Sequence, residues 1–558
     1  MKNKLESVSA QGRAIIFLRA VFFYLACSIV FFAPVLKYIS GYLIGPGEDN
    51  MQTLWNIWWW NHHVLLGQGS IFSSAFLFFP DGASLLFHTI SPYNLVLSSV
   101  IGRFAGLVLT YNILIILTFI CSGVSGFYLI RYLVKDNTAA LIGGFIFAFN
   151  PFHFAQAQHH LNIASIQFLP LFILFLLKAL RGRKISDISL AVVFMLLNAL
   201  CSWHYFIYSM YFMLALYAYR AVKSSTVLLP RFVTVYSVIL GSSLIVLSPF
   251  IVPMVIKGAG YPVYNDWYYY RNMAADLLGF IIPPRQHLLG DVALFRFISS
   301  RFTGNDWIKV VYMGLVNLSI VIVMSKWLMR QAKPYFFGMI FFMVMAMGEF
   351  IHFLGYVIPI PLPGFFIKYM PLLSSVRCPA RLMVFVYLFL GILVAFVVVR
   401  LKADRHFSRI RRVVFWAIAA LIFIDYYSYS SDLTQVKLPP GYEVIHNDRD
   451  KDFGILDLPG YPDKGWWLNC DRYMMYQTLH GRPIVQGAVS RRVDKALIDF
   501  LELDNLGIQK KQLRLNKVKY IIIHKSQDEA CRRIRIANYR NTYHVVTENN
   551  NVIILQVY

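Results

Sequence analysis

Two adjacent carboxylates, Glu48 and Asp49, follow a Gly-Pro-Gly turn at 45–47, shortly after the first long apolar run of the chain. A carboxylate in such a position can act as a general base that takes a proton from an acceptor hydroxyl. The Trp-rich stretch that follows is typical of a membrane interface, so the turn would hold the carboxylate at the depth of a lipid-linked phosphate. We interpret Asp49 as the candidate base and Glu48 as its assistant or a metal ligand. The structural alternative is that Asp49 or Asn50 caps the next helix.

Two arginines, Arg377 and Arg381, flank Pro379 at the start of a late apolar run. Proline favours the first turn of a helix, whose free amides attract anions, and arginine offers paired donors to a phosphate. Both arginines are therefore candidates for binding a phosphate group, and Arg285 and His287 are weaker candidates for the same role. The alternative is that Arg377 and Arg381 anchor a membrane span in the headgroup layer.

Polar side chains cluster between two apolar runs at 153–162, and His159, His160 and Asn162 are the candidates there for lining a substrate site. Adjacent histidines together with Asp49 could hold a divalent cation such as Mg²⁺ or Mn²⁺, since imidazole and carboxylate are common ligands. We favour the alternative of a hydrogen-bonded polar rim. The same two readings apply to His204.

Aromatic and acidic residues in two other segments add candidates. Trp55, Trp58, Trp59 and Trp60 are predicted to be interface anchors first, and Trp59 is a candidate for stacking on a sugar ring. The segment 257–308 is rich in Tyr, Pro and Gly, which we interpret as a lid over a cavity with Asp276 as a possible second acid. Glu349 and Asp425 lie near the ends of predicted spans and are functional candidates because ionisable groups are costly there.

The elements that must position these residues are membrane helices. Of 558 residues, 58% are hydrophobic and 14% charged, and the charged share is well below the roughly 25% of soluble domains. Apolar runs of about 17–25 residues are long enough to cross a hydrocarbon core of roughly 30 Å. The first run, 14–36, has no small-residue cleavage site and is predicted to be an uncleaved anchor.

The net charge of +24 does not indicate a nucleic-acid partner, because most of it lies in short loops between apolar runs. This is the positive-inside pattern. It is satisfied when 92–109 is interfacial or re-entrant and not a span, which places the N-terminus in the cytoplasm and the C-terminal region outside. Eleven spans are then predicted, at 14–36, 111–131, 138–150, 161–178, 187–201, 204–220, 232–256, 309–326, 335–351, 381–400 and 412–430.

The sequence therefore predicts a polytopic α-helical membrane domain, 1–431, with outer loops 37–110 and 257–308. A soluble α/β domain follows at 432–558, since strand-like runs at 453–458, 518–524, 543–547 and 552–557 alternate with helical stretches near 493–505 and 527–538. Cys470 and Cys531 are the cysteines of this domain, and a disulfide between them is possible in an oxidising compartment.

Several short motifs together resemble the GT-C superfamily of polytopic glycosyltransferases, particularly its YfhO-like and Rgt-like bacterial members. They are the acidic turn at 45–50, the runs 79–86 and 275–284, the stretches 159–162 and 168–171, and the segment 377–381. The resemblance covers nearly the whole chain. It implies transfer of a sugar, with inversion, from a polyprenyl-phosphate carrier to a glycan, lipid or protein acceptor on the outer face of the bacterial inner membrane. In such a reaction Asp49 would be the base.

Two other classes stay open at this point. A transporter of lipid-linked glycans would be expected to have inverted repeats and interrupted spans, and no internal repeat is evident. A non-catalytic envelope assembly protein with the same fold is harder to exclude, because fold does not fix activity. Loss of function on changing Asp49 alone would separate an enzyme from a scaffold.

Overall fold

The structure is a computed structural model that describes residues 10–182, 184–223, 229–258, 272–367, 369, 378–403, 408–427, 432–459, 466–490, 495–502, 504–525 and 534–558. Compact unit 1 comprises Met1–Lys37, Ile113–Pro249 and Val263–Ser431, and compact unit 2 comprises Tyr38–Asn112, Phe250–Pro262 and Asp432–Tyr558. The first loop thus groups with the C-terminal region, whereas the sequence assigned it to the membrane domain.

The described α-helices are α1 (Ala10–Leu36), α2 (Asp49–Trp59), α3 (Pro92–Ile101), α4 (Leu107–Val134), α5 (Asn137–Ala148), α6 (Pro151–His159), α7 (Leu161–Ala164), α8 (Leu169–Gly182), α9 (Ile185–Cys201), α10 (Trp203–Lys223), α11 (Leu229–Gly258), α12 (Ala293–Ser299), α13 (Asp306–Lys309), α14 (Leu315–Val323), α15 (Ser325–Gln331), α16 (Lys333–Ala346), α17 (Pro363–Ile367), α18 (Met383–Ala403), α19 (Ser408–Tyr426), α20 (Glu443–Asn447), α21 (Trp466–His480), α22 (Leu506–Leu515) and α23 (Ile536–Thr542). Short 3₁₀ helices lie at Leu277–Phe280, Pro379–Leu382 and Leu497–Asp499, and a π-helical turn lies at Trp60–Val64.

The strands are β1 (Tyr42–Ile44), β2 (Ser73–Ser74), β3 (Ala83–Ser84), β4 (Phe350–Phe353), β5 (Tyr356–Pro361), β6 (Leu433–Gln435), β7 (Gly454–Leu458), β8 (Val518–His524), β9 (His544–Glu548) and β10 (Val552–Gln556). They form three two-stranded sheets, β1-β6, β2-β3 and β4-β5, and a four-stranded sheet of order β7-β8-β10-β9. The pair β7-β8 is parallel and the other pairs are antiparallel.

Long apolar helices dominate the chain, as the sequence predicts for a membrane protein. Five of the described helices are long and apolar enough to cross a membrane, namely Gln11–Leu36, Leu107–Val134, Leu161–Gly182, Pro230–Lys257 and Pro379–Ala403; the pair α5 and α6, bent by 43°, would make a sixth. Other predicted spans coincide with shorter helices such as α9 and α16. The exact count of eleven spans stays a prediction.

Two predicted spans differ from the helices at those positions. The predicted span 309–326 is wrong in its first residues, because 310–314 are not helical and the helix begins at Leu315 after Gly314, whose φ is +88°. The predicted span 335–351 ends at Ala346, since the chain then turns into β4. In contrast, α3 has ten residues, about 15 Å in length, which is half of a hydrocarbon core. This agrees with the prediction that 92–109 is not a full span.

Helices α5 and α18 of unit 1 approach closely at two glycines. A Cβ at Gly143 would lie 2.6 Å from the carbonyl oxygen of Gly391, and a Cβ at Gly391 would meet the carbonyl oxygen of Gly143. Small residues let membrane helices pack backbone against backbone. The contact therefore requires glycine at both positions.

Replacing Gly143 by valine should force α5 and α18 apart and lower the free energy of unfolding by about 1–3 kcal/mol, the usual cost of overpacking. Thermal unfolding of the detergent-solubilised protein measures this effect. Gly241→Val on α11 is the matched control, because nothing lies within 4 Å of a Cβ at Gly241. Equal unfolding temperatures for the two variants would contradict the packing argument.

In the C-terminal region the predicted strands are found as β7, β8, β9 and β10, and the predicted helices are partly wrong. Between 493 and 505 the described helix is the 3₁₀ turn Leu497–Asp499, whereas α21 and α22 were not predicted. The stretch 527–538 lies partly outside the described residues, and α23 begins at Ile536. Cys470 is buried and free, and Cys531 lies outside the described residues.

Candidate active site

The acidic turn of unit 2 is held in place by the strand β6. Strand β1 pairs antiparallel with β6, and the turn follows directly: Gly45 N donates to Asp432 O at 2.9 Å, and Thr434 Oγ1 donates to Gly45 O at 2.8 Å. Gly47 has φ +88°, and a Cβ there would lie 2.7 Å from Thr434 Oγ1. The residues after the turn therefore have a fixed position within this unit.

Asp49 is the first residue of α2, where its carboxylate is favoured by the positive end of the helix dipole. Gln52 Nε2 donates to Asp49 Oδ1 at 3.1 Å. The capping alternative is wrong, because the N-cap position is Glu48, whose side chain makes no capping hydrogen bond. Asn50 Nδ2 instead donates to Ile44 O at 3.3 Å.

A second carboxyl group, that of Asp471 on α21, lies beside Asp49 and was not predicted from the sequence. Its pKa is raised well above its ordinary value by burial and by the neighbouring charges of Asp49 and Glu48, while a hydrogen bond from Gln52 lowers it. Asp471 Oδ1 is buried and has no hydrogen-bond partner among the described residues. Burial and the nearby acidic side chains therefore favour the neutral form of the Asp471 carboxyl group.

The same part of unit 2 contains His88, also missed in the sequence. Ser490 N donates to His88 Nδ1 at 3.4 Å, so the proton lies on Nε2, which is 3.0 Å from Asn56 Oδ1. Burial lowers the pKa of His88 to about 4, against an opposing effect of Asp49. His88 is therefore neutral at physiological pH. The sequence around His88, in the loop after β3, does not distinguish a buried histidine from a solvent-exposed one.

Acid should destabilise unit 2 through His88 and His480, because burial lowers the pKa of each to about 4 from an ordinary 6.5. The unfolded chain binds these protons more tightly, so stability is lost as the pH falls from about 6.5 to about 4, by about 3 kcal/mol for each histidine. Thermal unfolding between pH 7.5 and pH ~4.5 measures the loss. His88→Gln should flatten this dependence, and His544→Gln, at an exposed position, should not.

The tryptophans of α2 are buried, so their predicted role as interface anchors is wrong for Trp55, Trp58 and Trp59. The ring of Trp59 stacks on Trp55 at 5.6 Å and on His63 at 4.6 Å, one turn before and one turn after it. Its Nε1 donates to Ser70 O at 3.0 Å. Stacking of a sugar on Trp59 is therefore not supported, because the rings of Trp55 and His63 stack against it and the side chain is buried.

In unit 1, Arg381 is buried in the 3₁₀ turn that precedes α18. Its Nη1 lies 3.2 Å from His204 Nε2, and its guanidinium carbon lies 5.2 Å from the centre of the Trp307 ring. Among the described residues, no carboxylate lies within 4.0 Å of it, and its Nε has no hydrogen-bond partner. A buried cation with unused donors is suited to binding an anion.

Two histidines of the predicted polar rim and Arg381 all lie against the ring of Trp307, a residue that the sequence did not single out. The ring of His160 lies edge-on to Trp307 at 4.5 Å, and the ring of His159 lies at 6.2 Å. Asn162 is half-buried nearby in the chain. The structure thus brings His159, His160 and Arg381 around one indole.

His287 and Asp425 form a structural pair. His287 Nε2 lies 2.8 Å from Asp425 O, and its Nδ1 accepts from Leu289 N at 3.0 Å. The Asp425 carboxylate accepts from Tyr312 Oη at 2.6 Å and from Val316 N at 2.9 Å. Because both ring nitrogens and both carboxylate oxygens are engaged, these contacts argue against substrate contact for either residue.

Asp276 is likewise engaged with the backbone, since Oδ1 accepts from Leu278 N at 3.0 Å and Oδ2 from Gly355 N at 2.9 Å. It caps a 3₁₀ helix and holds the β4-β5 hairpin, which does not support a role as a second acid. Arg285 is exposed. Arg377 lies outside the described residues.

A metal site needs several His, Cys, Asp or Glu side chains close together. Within the described part of the chain, no three His, Cys, Asp or Glu side chains lie close enough together to hold a metal ion. The divalent cation therefore stays a prediction, and no reaction step is assigned to it.

A family profile described as "Domain of unknown function (DUF6311)" matches residues 21–427. No significant match was found among curated proteins. Two solved structures are similar over most of the chain. The archaeal oligosaccharyltransferase AglB from Archaeoglobus fulgidus, in complex with an inhibitory peptide and a dolichol-phosphate, is 13% identical with a TM-score of 0.53, covering 91% of this chain and 69% of that one. The arabinofuranosyltransferase AftD from Mycobacteria is 14% identical with a TM-score of 0.54, covering 97% of this chain and 40% of that one. These likenesses show the GT-C fold.

Proposed function

We propose that this chain, which belongs to the DUF6311 family and has the GT-C fold, is a membrane glycosyltransferase. It would take a sugar from a polyprenyl-phosphate-linked donor and pass it to a glycan, lipid or protein acceptor. The observation that carries the proposal is the placement of Asp49 at the start of α2, hydrogen-bonded to Gln52 and beside the buried carboxyl group of Asp471. The AglB structure with bound dolichol-phosphate supports a lipid phosphate as the donor's carrier.

In the proposed reaction the Asp49 carboxylate takes the proton of the acceptor hydroxyl. The acceptor oxygen then attacks the anomeric carbon with inversion, while the bond to the carrier's phosphate oxygen breaks and that oxygen keeps the electron pair. Glu48 would assist because a negative charge beside Asp49 favours transfer of the proton to the Asp49 carboxylate. General-base help of this kind contributes about 10²–10⁴-fold to a rate.

Arg381 is the proposed binding group for the carrier phosphate. Its burial, the lack of a carboxylate within 4.0 Å among the described residues and its unused Nε support this role. In a site with little water, a fixed guanidinium stabilises the charge that develops on a leaving phosphate. His204 would orient it through their 3.2 Å contact. Arg377, predicted together with Arg381, and the weaker candidate Arg285 stay proposals for the same phosphate.

The proposal places the protein in the bacterial inner membrane with a cytoplasmic N-terminus and an extracytoplasmic C-terminal region. The basic loops of the sequence support this orientation. The divalent cation predicted from the sequence stays a proposal without an assigned ligand set. Loss of activity in a chelator, restored by Mg²⁺ or Mn²⁺, would establish it.

Mass spectrometry of envelope glycolipids and glycans tests the function in three strains: wild type, a deletion, and the deletion complemented with Asp49→Asn at normal protein level. We expect the same hexose- or pentose-sized loss in the deletion and the Asp49→Asn strain. The mass of the missing residue would give the sugar class, and the molecule that lacks it would give the acceptor. Full restoration by Asp49→Asn would reject Asp49 as the base and favour the assembly or transport alternatives.

A further inference from the structure

An apolar surface in unit 1 lies outside the residues of the proposed reaction. Helix α12 has no buried residue, and Leu294 and Phe297 on it are 61% and 58% exposed. On the β4-β5 hairpin and α17, Tyr356, Ile360 and Phe366 are 71%, 53% and 60% exposed. Exposed apolar surface of this extent marks a membrane or protein contact.

The hairpin and the segment around α12 form one module, called here the hairpin–helix module (288–303 and 350–367). Gly355 at the hairpin tip lies against Arg301 O, so closely that a Cβ could not be added. Thr303 Oγ1 lies 3.5 Å from His352 Nδ1 in β4. Asp276 ties the module to the rest of unit 1, because it accepts from Gly355 N. The exposed side chains therefore lie on one module, which is held against the rest of unit 1.

The position of the module in the chain indicates what covers it. Strand β4 begins at Phe350, four residues beyond the end of the apolar helix α16 at Ala346, and so within about 14 Å of that helix end. The segment after the hairpin leads into Pro379–Ala403, an apolar helix long enough to cross a membrane. The module is thus connected on both sides to apolar helices, and the ends of a helix that crosses a bilayer lie at its surfaces.

The charges and backbone of the module fit the headgroup layer. Arg296 and Arg301 stand among Leu and Phe side chains, and the Arg301 guanidinium lies 5.0 Å from the ring centre of Phe297. Arginine beside Leu and Phe is typical of segments that lie in an anionic interface. Pro359 and Pro361 remove two N–H donors from β5, yet a two-stranded sheet still has open edges, which are not tolerated in the hydrocarbon core.

We propose that the hairpin–helix module inserts its apolar side chains into the boundary between headgroups and acyl chains of one leaflet. The phospholipid bilayer is its partner, and Arg296 and Arg301 contact the phosphates of the headgroups. Residues 288–303, part of the segment 257–308 that the sequence suggested to be a lid over a cavity, then rest on the membrane. This inference does not depend on the proposed reaction.

Photo-crosslinking of the full chain in liposomes of phosphatidylethanolamine and phosphatidylglycerol tests this proposal. p-Benzoylphenylalanine is placed at Phe297 and, separately, at Tyr356, two exposed aromatic positions where the change is small. Phe22, 72% exposed on α1, is the positive control for lipid contact. Phe500, 59% exposed in the C-terminal region, is the matched position expected in water.

After irradiation, intact-mass and peptide analysis measures the yield of phospholipid adducts. We expect yields at Phe297 and Tyr356 close to that at Phe22 and at least about tenfold above that at Phe500, since burying one such side chain favours the bilayer by more than that factor. Yields at the Phe500 level would overturn the proposal. Crosslinks to a second copy of the chain without lipid adducts would also overturn it and identify a protein interface. If the Phe297 variant does not fold, Phe366 offers the same test.

Discussion

Replacing Asp49 by asparagine is expected to slow sugar transfer by about 10²–10⁴-fold, the usual contribution of a general base. The amide keeps the size of the side chain and can still contact Gln52, whose Nε2 lies 3.1 Å from Asp49 Oδ1. It cannot accept the proton of an acceptor hydroxyl. The fold should be unaffected, because the turn before α2 is held by backbone contacts to β6.

The measurement is the rate of sugar transfer per amount of purified, reconstituted protein. The assay contains a polyprenyl-phosphate sugar donor and an envelope extract as the source of acceptor. Asp471→Asn is the informative comparison, since burial and Asp49 already favour a neutral side chain there, and a smaller loss is expected. Asp504→Asn, at an exposed position of the same unit, should behave as wild type. If Asp471→Asn were the more damaging change, the base would be Asp471 and not Asp49.

Replacing Arg381 by methionine is expected to reduce kcat/KM for the lipid-linked donor by about 10²–10³-fold, as for the removal of one preorganised group that stabilises developing charge. The same change should raise the thermal stability of the protein. A buried cation without a carboxylate partner is costly, and an apolar side chain of similar length removes that cost. Opposite effects on activity and stability are the signature of a residue retained for binding.

The control for this prediction is Arg330→Met, in which the lost arginine is exposed and belongs to no candidate site. We expect it to change neither the unfolding temperature nor the kinetics by more than a small amount. A drop in stability for Arg381→Met with donor kinetics intact would assign Arg381 to the structure, as an anchor held by His204 and Trp307. Inorganic phosphate that stabilises wild type and not Arg381→Met would add direct support for an anion site.

Much of the architecture followed from the sequence because it depends on local, one-dimensional properties. Hydrophobic length marked the long helices such as α1, α4 and α11, and alternating apolar runs marked the strands β7, β8, β9 and β10. The basic loops separated the short helix α3 from true spans before its length was known. Helix ends were less predictable. The helix that begins at Leu315 is capped by Asp425, which accepts from Val316 N and lies about 110 residues away in the chain.

The sequence by itself singled out Asp49 and Arg381, because an acid after a Gly-Pro-Gly turn and an arginine at a Pro-marked helix start are unusual in an apolar chain. Only the tertiary structure decided which neighbours they have. Asp471 lies 422 residues after Asp49 in the chain, and Trp307 lies 74 residues before Arg381, so neither spacing carries a signal. The same packing buried Trp59 and engaged Asp276 and His287 with the backbone. Residue type and local pattern determine what a side chain can do, whereas burial and hydrogen-bond partners, which depend on long-range packing, decide whether it is free to do it.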